Sequence, residues 1–335
     1  MKIIVPMAGR GKRMRPHTLT IPKPLLPIAG KPIVQRLVED ISAVCQESIE
    51  EIGFVIGDFG EEVEQHLIQV AENLGAHGKI YHQKEALGTA HAILCAGEIM
   101  QGKTIVAFAD TLFRANFKLD DSKGGIIWVQ KVEDPSAFGV VKLNSENQIT
   151  DFVEKPESFV SDLAIIGIYY FKDGASLKEN LQYLIDNDIK DKGEYQITDA
   201  LERMKNAGTV FSPGEVDEWL DCGNKNATIY TNQRVLEFLK DEQTVDKSLQ
   251  MDNSQLIPPC YIGKNVNLKS AIIGPHVSIG DNSQVTASVI SNSIIQTNSQ
   301  IEGLNLTNSM IGNHTKLKKN ALDLSIGDFN QWNEY

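Results

Sequence analysis

The chain has 335 residues, 41% hydrophobic and 23% charged, which is long enough for a main domain with a full core plus a smaller second one. Its formal charge of −12 argues against broad nucleic-acid or membrane-surface binding, and no apolar run reaches the ~20 residues of a membrane helix. The opening MKIIVPMAG lacks the apolar length of a signal peptide, and four scattered cysteines without a CxxC pair suggest neither zinc nor a disulfide framework, so a cytoplasmic protein is expected.

The charge is uneven. Residues 1–38 carry eight Lys or Arg and no Asp or Glu, leaving 24 basic against 44 acidic residues elsewhere. That local positive region suits a small polyanion better than a long one.

In chain order, Lys2 to Pro6 reads as a buried strand feeding a glycine loop. From Pro32, placed as a first helical residue, Ile33, Leu37, Ile41 and Val44 form one apolar helical face. IGFVIG (52–57) is a second strand, Val63, Leu67, Val70 and Leu74 mark a second helix, and KIYHQ (79–83) a third strand. A helix through TAHAILCAGEIM leads to TIVAFAD (104–110), an apolar run ending on a carboxylate. This alternation predicts an α/β fold with a doubly wound, mixed and mainly parallel sheet, whose ligands bind beyond the carboxyl ends of its strands. The glycine loop and Asp110 then share one edge.

GGIIWVQKV, FGVVKLN, ITDFVEK and AIIGIYYF extend the sheet, followed by helices near 176–186, 195–207 and 224–240. A main domain over 1–240 is expected, then a polar connector over 241–256. Beyond it, over 257–330, Ile-Gly recurs at 262, 273, 279, 311 and 326 with other aliphatics near six-residue spacing. That spacing predicts a small parallel β-helix, with a β-sandwich as the alternative.

The loop AGRGKRMRPHTLTIPKP is neither of the common phosphate-binding patterns: GxxxxGK[ST] is absent, and Met14 stands where a dinucleotide fingerprint needs glycine. Pro16, Pro22, Pro24 and Pro27 forbid continuous helix before Pro32, so an extended loop must do the binding. Gly9 and Gly11 allow backbone N–H groups to approach phosphate, with Arg13 and Lys23 supplying charge.

GxGxR at Gly9, Gly11 and Arg13, PxT at Pro16 to Thr18, and PKPLLPIAGKPI at Pro22 to Ile33 closely resemble the signature of the sugar-phosphate nucleotidyltransferases. QKEALGTAHA, FAD, FGVV, VEKP, GEYQITDAL and EWLDCG continue the resemblance in order to about residue 240, and the β-helix it implies is left-handed. Ala8, Lys12 and Ala109 depart from the usual family residues without removing a charged group.

The resemblance implies transfer of a nucleotidyl group from a nucleoside triphosphate to a sugar 1-phosphate, with pyrophosphate leaving. Arg13 and Lys23 would be the catalytic cations; Ala8, Gly9, Gly11, Gln83 and Gly88 would bind the nucleotide; Asp110 and Asp221 would hold Mg2+. Gly139, Glu154, Lys155, Gly167, Tyr169 and Trp219 would receive the sugar phosphate. Gln83 can offer an acceptor and donors to a base edge, so thymine, uracil and guanine stay open. Gln83, VEKP and WLDCG together favour the thymidylyl pattern for glucose 1-phosphate. Guanylyl transfer to mannose 1-phosphate, uridylyl transfer to N-acetylglucosamine 1-phosphate and a non-catalytic regulatory subunit remain alternatives. The β-helix is expected to serve homo-oligomeric assembly or regulation.

Overall fold

The computed structural model describes residues 1–9, 11–115 and 118–319, and these form two compact units divided between Thr231 and Asn232. Arg10, the Ile-Gly at 326 and the last part of the expected β-helix (320–330) lie outside the described residues.

In the first unit the sequence alternation becomes β1 (Lys2–Pro6), α1 (Ile33–Val44), β2 (Glu51–Ile56), α2 (Glu61–Asn73), β3 (His77–His82), α3 (Thr89–Leu94) and β4 (Thr104–Ala107). Then come β5 (Thr111–Arg114), β6 (Gly125–Lys131), β7 (Gly139–Leu143), β8 (Ile149–Glu154) and β9 (Leu163–Phe171). The helices α4 (Gly174–Asp186) and α5 (Ile197–Asn206) and the strands β10 (Phe211–Gly214) and β11 (Glu218–Asp221) complete the unit.

The main sheet runs β8-β7-β9-β4-β1-β2-β3, with β6 paired to β9 and β10 paired to β6. The β4-β1-β2-β3 segment is parallel throughout, whereas β9 is antiparallel to β4, β6 and β7. The expected mixed, mainly parallel doubly wound sheet is therefore present. Ile3, Ile4 and Val5 on β1 are fully buried, because a central parallel strand is covered on both faces.

Two helix readings change in detail. Pro32 is the residue before α1, at φ −52° and ψ 144°, not its first helical residue. The helix through TAHAILCAGEIM stops at Leu94: Gly97 donates back to the Leu94 carbonyl, and the chain to Met100 runs in turns. Among the described residues no helix is long and apolar enough to cross a membrane.

In the second unit three sets of short strands stack in parallel. Three aliphatic columns run through the stack: Leu268, Val285, Ile301 and Leu317, capped by the exposed Met251; Leu256, Ile273, Ile290 and Leu306; Ile262, Ile279, Ile295 and Ile311. This is a parallel β-helix and fits the left-handed form. The first coils advance by 17 residues, as from Gln250 to Asn267, and later ones by 16, as from Gln284 to Gln300. Each coil therefore mixes faces of five and six residues, which is why the sequence repeat looks imperfect. Stacking begins inside the stretch read as a connector: Val245 bridges Ile262 in parallel, and Met251 pairs with Leu268. Asn265, Asn282 and Asn298 link side chain to side chain down one corner at 3.1 and 3.3 Å, each at positive φ. Asparagine tolerates that conformation better than most residues.

On α1, burial pushes the Asp40 carboxyl up to about 7 against the opposing charge of Arg36. The unfolded chain releases this proton near pH 3.8 while the folded chain holds it to about 7. Between those values the folded state binds more protons, so stability falls as pH rises. Thermal melts of parent and Asp40→Asn across this interval should diverge, with the variant gaining on the parent as pH rises; parallel curves would refute the shifted carboxyl.

Candidate active site

β1 and β4 are parallel neighbours, with Ile4 beside Val106, so the loop after β1 and the turn after β4 leave the sheet along the same edge. The loop is not helical but folds as two short 3-10 turns, Lys12–Met14 and Lys23–Leu25, as its prolines require. Gly11 enters the first turn at φ 56° and ψ 39°. A Cβ there would stand 2.9 Å from the Lys23 Cβ and 3.2 Å from Thr18, whose hydroxyl donates to the Gly11 carbonyl. Glycine thus lets the two halves of the loop close on each other.

That closure buries Lys23, which is 8% exposed, and its ammonium reaches Asp110 Oδ2 at 3.0 Å. A buried ammonium is costly unless paired, so the pair fixes the loop against the strand-end turn. Arg13 stays exposed and, among the described residues, has no ion-pair partner. Asp221 ends β11, which pairs with β5 in register Asp221 to Thr111, and the following Cys222 N–H donates to the Asp110 carbonyl. The Asp221 carboxyl is pushed above the usual carboxylate range by burial and then by the charge of Asp110, with Lys23 and Arg13 opposing.

A cavity of about 410 Å³ lies over this edge, lined by Ala8, Gly9, Gly11, Arg13, Lys23, Gln83, Gly88 and Asp110. All the residues expected to bind nucleotide, both expected cations and one expected metal carboxylate are therefore brought together. Asp221 stands behind Asp110. Among the described residues no group of three or more His, Cys, Asp or Glu comes together, so a cation here would rest on two carboxylates. That donor set fits Mg2+, which takes one or two carboxylates and completes its shell with phosphate oxygens and water.

The residues expected at the sugar phosphate are absent from the lining of this cavity, and contacts join only some of them. Lys155 Nζ lies 3.1 Å from Glu154 Oε1, the Thr198 hydroxyl donates to Glu154 Oε2 at 3.4 Å, and a Cβ on Gly139 would approach Glu154 Oε2 at 3.1 Å. Gly167 lies where β9 shifts register between Ile165 and Tyr169, and its carbonyl accepts from Phe108 N–H. Phe108 lines the cavity and packs edge-on to Tyr169 at 6.1 Å. The phenol of Tyr169 is driven up by burial, then by the charges of Glu154 and Asp110. Trp219 packs against Phe138 at 5.1 Å, and its buried indole N–H has no partner among the described residues.

Sequence reasoning assigned no role to Phe108, Glu194 or Thr198. Phe108 and Glu194 line the cavity and Thr198 holds Glu154. The signal available was position: Phe108 is the first residue of FAD, and the other two lie in GEYQITDAL. His17, the loop histidine, does not line the cavity; burial and then Lys225 hold its imidazole below the usual value.

A profile of the nucleotidyl transferase family matches residues 2–237. The chain belongs to the nucleotidyl transferase family. A glucose-1-phosphate thymidylyltransferase of Streptomyces antibioticus is 29% identical, with 98% of each chain covered. The low-salt glycan biosynthesis nucleotidyltransferase Agl11 of Haloferax volcanii is 29% identical over 88% of this chain and 87% of its own. The bifunctional protein GlmU of Methanococcus maripaludis is 29% identical over 70% of this chain and 54% of its own. A UDP-glucose pyrophosphorylase solved with UDP-glucose superimposes with a TM-score of 0.58 at 26% identity, covering 71% of this chain and 98% of that one. The nucleotidyl transferase match ends before the β-helix, whereas the thymidylyltransferase relative spans both units.

Gly88 lines this cavity at φ 117° and ψ 178°, a region essentially confined to glycine. A Cβ there would lie 2.4 Å from the Tyr195 carbonyl oxygen. Gly88→Ala should therefore cost roughly 1–3 kcal/mol of stability and weaken triphosphate binding. Urea melts and triphosphate titration check both; an unchanged midpoint would show that the backbone is free to move.

Proposed function

We propose that this chain transfers a thymidylyl group from dTTP to glucose 1-phosphate, giving dTDP-glucose and pyrophosphate. The observation that carries the reading is the gathering of Arg13, Lys23 and Asp110 around one cavity, with Asp221 close enough to Asp110 to feel its charge. The full-length likeness to a glucose-1-phosphate thymidylyltransferase supports the choice of substrates.

Both reactants are anions, so charge neutralisation and alignment dominate catalysis. Arg13, unpaired and exposed at the cavity rim, grips the outer phosphates, while Lys23 stabilises charge on the α-phosphate and the departing pyrophosphate. The sugar phosphate oxygen attacks the α-phosphorus in line with the leaving pyrophosphate. It is already ionised, so no general base is needed. Lys155 exchanges its contact with Glu154 for the sugar phosphate, leaving Glu154 to accept from sugar hydroxyls. Trp219 offers its indole N–H on the same side. Magnesium held by Asp110 and Asp221 would neutralise phosphate charge. The β-helix unit serves homo-oligomeric assembly.

A second reading is uridylyl transfer, favoured by the UDP-glucose pyrophosphorylase likeness and by a Gln83 acceptor that suits thymine and uracil alike. Pyrophosphate release with dTTP, UTP and GTP, each paired with glucose 1-phosphate, N-acetylglucosamine 1-phosphate and mannose 1-phosphate, should be greatest for dTTP with glucose 1-phosphate. A preference for UTP or GTP would replace the proposal.

Two variants test the roles. Asp110→Asn should lower magnesium-dependent kcat by at least about 100-fold, and retained turnover would contradict the metal assignment. Lys155→Ala should raise KM for the sugar phosphate roughly 10- to 100-fold with little change in KM for the triphosphate. Equal effects on both substrates would move Lys155 out of the sugar site.

A further inference from the structure

Gln83 follows β3, its own N–H donating to the Ile56 carbonyl at 2.9 Å. Its side-chain amide is held by two further contacts: Nε2 donates to the Gly88 carbonyl at 3.2 Å and lies 3.1 Å from Nδ1 of His91. A carbonyl can only accept, so the nitrogen of the amide must face Gly88; the flipped amide would set Oε1 against that oxygen. The second amide N–H then points at His91. Nδ1 can receive it only when the ring carries its proton on Nε2. The Gly88 carbonyl also accepts the Ala92 N–H at 3.1 Å, so it is shared with the first turn of α3. Both donors of Gln83 are thus spent inside the protein. Oε1 has no partner among the described residues, and Gln83 lines the cavity.

We infer that His91 is a positioning residue for base selection: by fixing the Gln83 amide it makes Gln83 an acceptor only, which pairs with a ring N–H and rejects an unprotonated ring nitrogen. His91 does not itself line the cavity, so it acts through Gln83. The inference rests on the pyrimidine-nucleotide reading above and adds the discrimination of thymine or uracil from cytosine. Thymine and uracil carry a proton on N3, whereas cytosine carries a lone pair there that would face the lone pairs of Oε1. Without the acceptor on His91 the amide keeps one bond and can turn its donors to the base.

Steady-state kinetics with dTTP and 5-methyl-dCTP, at fixed glucose 1-phosphate, test this directly. The two bases differ only on the N3 and C4 edge. For His91→Phe, KM for dTTP should rise about ten-fold with kcat near the parent value, and the dTTP preference in kcat/KM should narrow about ten-fold. His91→Asn, whose side-chain oxygen can stand in for Nδ1, should restore both. An unchanged preference in folded His91→Phe, or an Asn variant that behaves like Phe, would overturn the role of His91. Nitrogen-15 NMR of the parent gives an independent check: an unprotonated Nδ1 and protonated Nε2 support the inference, and the opposite tautomer overturns it. A parent enzyme that uses neither dTTP nor UTP would fell the pyrimidine reading, and the inference with it. A dTTP-preferring parent whose folded His91→Phe variant keeps the full preference for dTTP over 5-methyl-dCTP would remove His91 alone.

Discussion

The site depends on one ion pair, between the buried ammonium of Lys23 and Asp110 at the sheet edge. A proline-rich loop has no hydrogen-bonded scaffold of its own, and a cluster of cations repels itself. Something must draw the loop down onto the strand ends. Asp110 does so from a two-residue turn after β4, and the Cys222 N–H on its carbonyl brings Asp221 to the same place. The pair gains enough to hold because the ammonium is nearly out of water while the carboxylate remains partly exposed. Two reactants of like charge then meet where positive and negative protein groups already face each other.

The residues proposed for the nucleotide and those proposed for the sugar phosphate are held by different contacts. The loop, Gln83, Gly88 and Phe108 line the cavity; Glu154 gathers Lys155, Thr198 and Gly139; Tyr169 packs edge-on to Phe108. β9 makes this division possible. It is antiparallel to β4, and its register shift at Gly167 bends the chain past Phe108 and the strand-end turn. A regular strand there would carry the sugar-side residues straight past the edge.

Much of this was legible in the sequence because the decisive features are local. Apolar alternation gave the parallel strands, and four prolines between Pro16 and Pro27 ruled out a helix-end phosphate site. The strand-end carboxylates could be found from the runs that precede them. Other features depend on residues far apart in the chain. The contact between Gln83 and His91 needs the first turn of α3 after Gly88, and the Glu194 and Thr198 contributions need Tyr195, just ahead of α5, to pair with Leu87 and Ala90. The early end of α3 reflects Gly97, which packs its backbone under the Leu94 carbonyl where the apolar pattern alone ran on. In the β-helix the aliphatic columns were visible but their period was blurred, since coils of 17 and 16 residues mix faces of different length.

The most direct test of the account is the kcat of Lys23→Met for pyrophosphate release, measured on protein whose thermal melt remains cooperative. If Lys23 joins loop to strand edge and stabilises the phosphate charge that develops in the reaction, kcat should fall by roughly 10²- to 10³-fold. A folded variant that turns over as fast as the parent would contradict that role and, with it, the cradle built around the Asp110 pair.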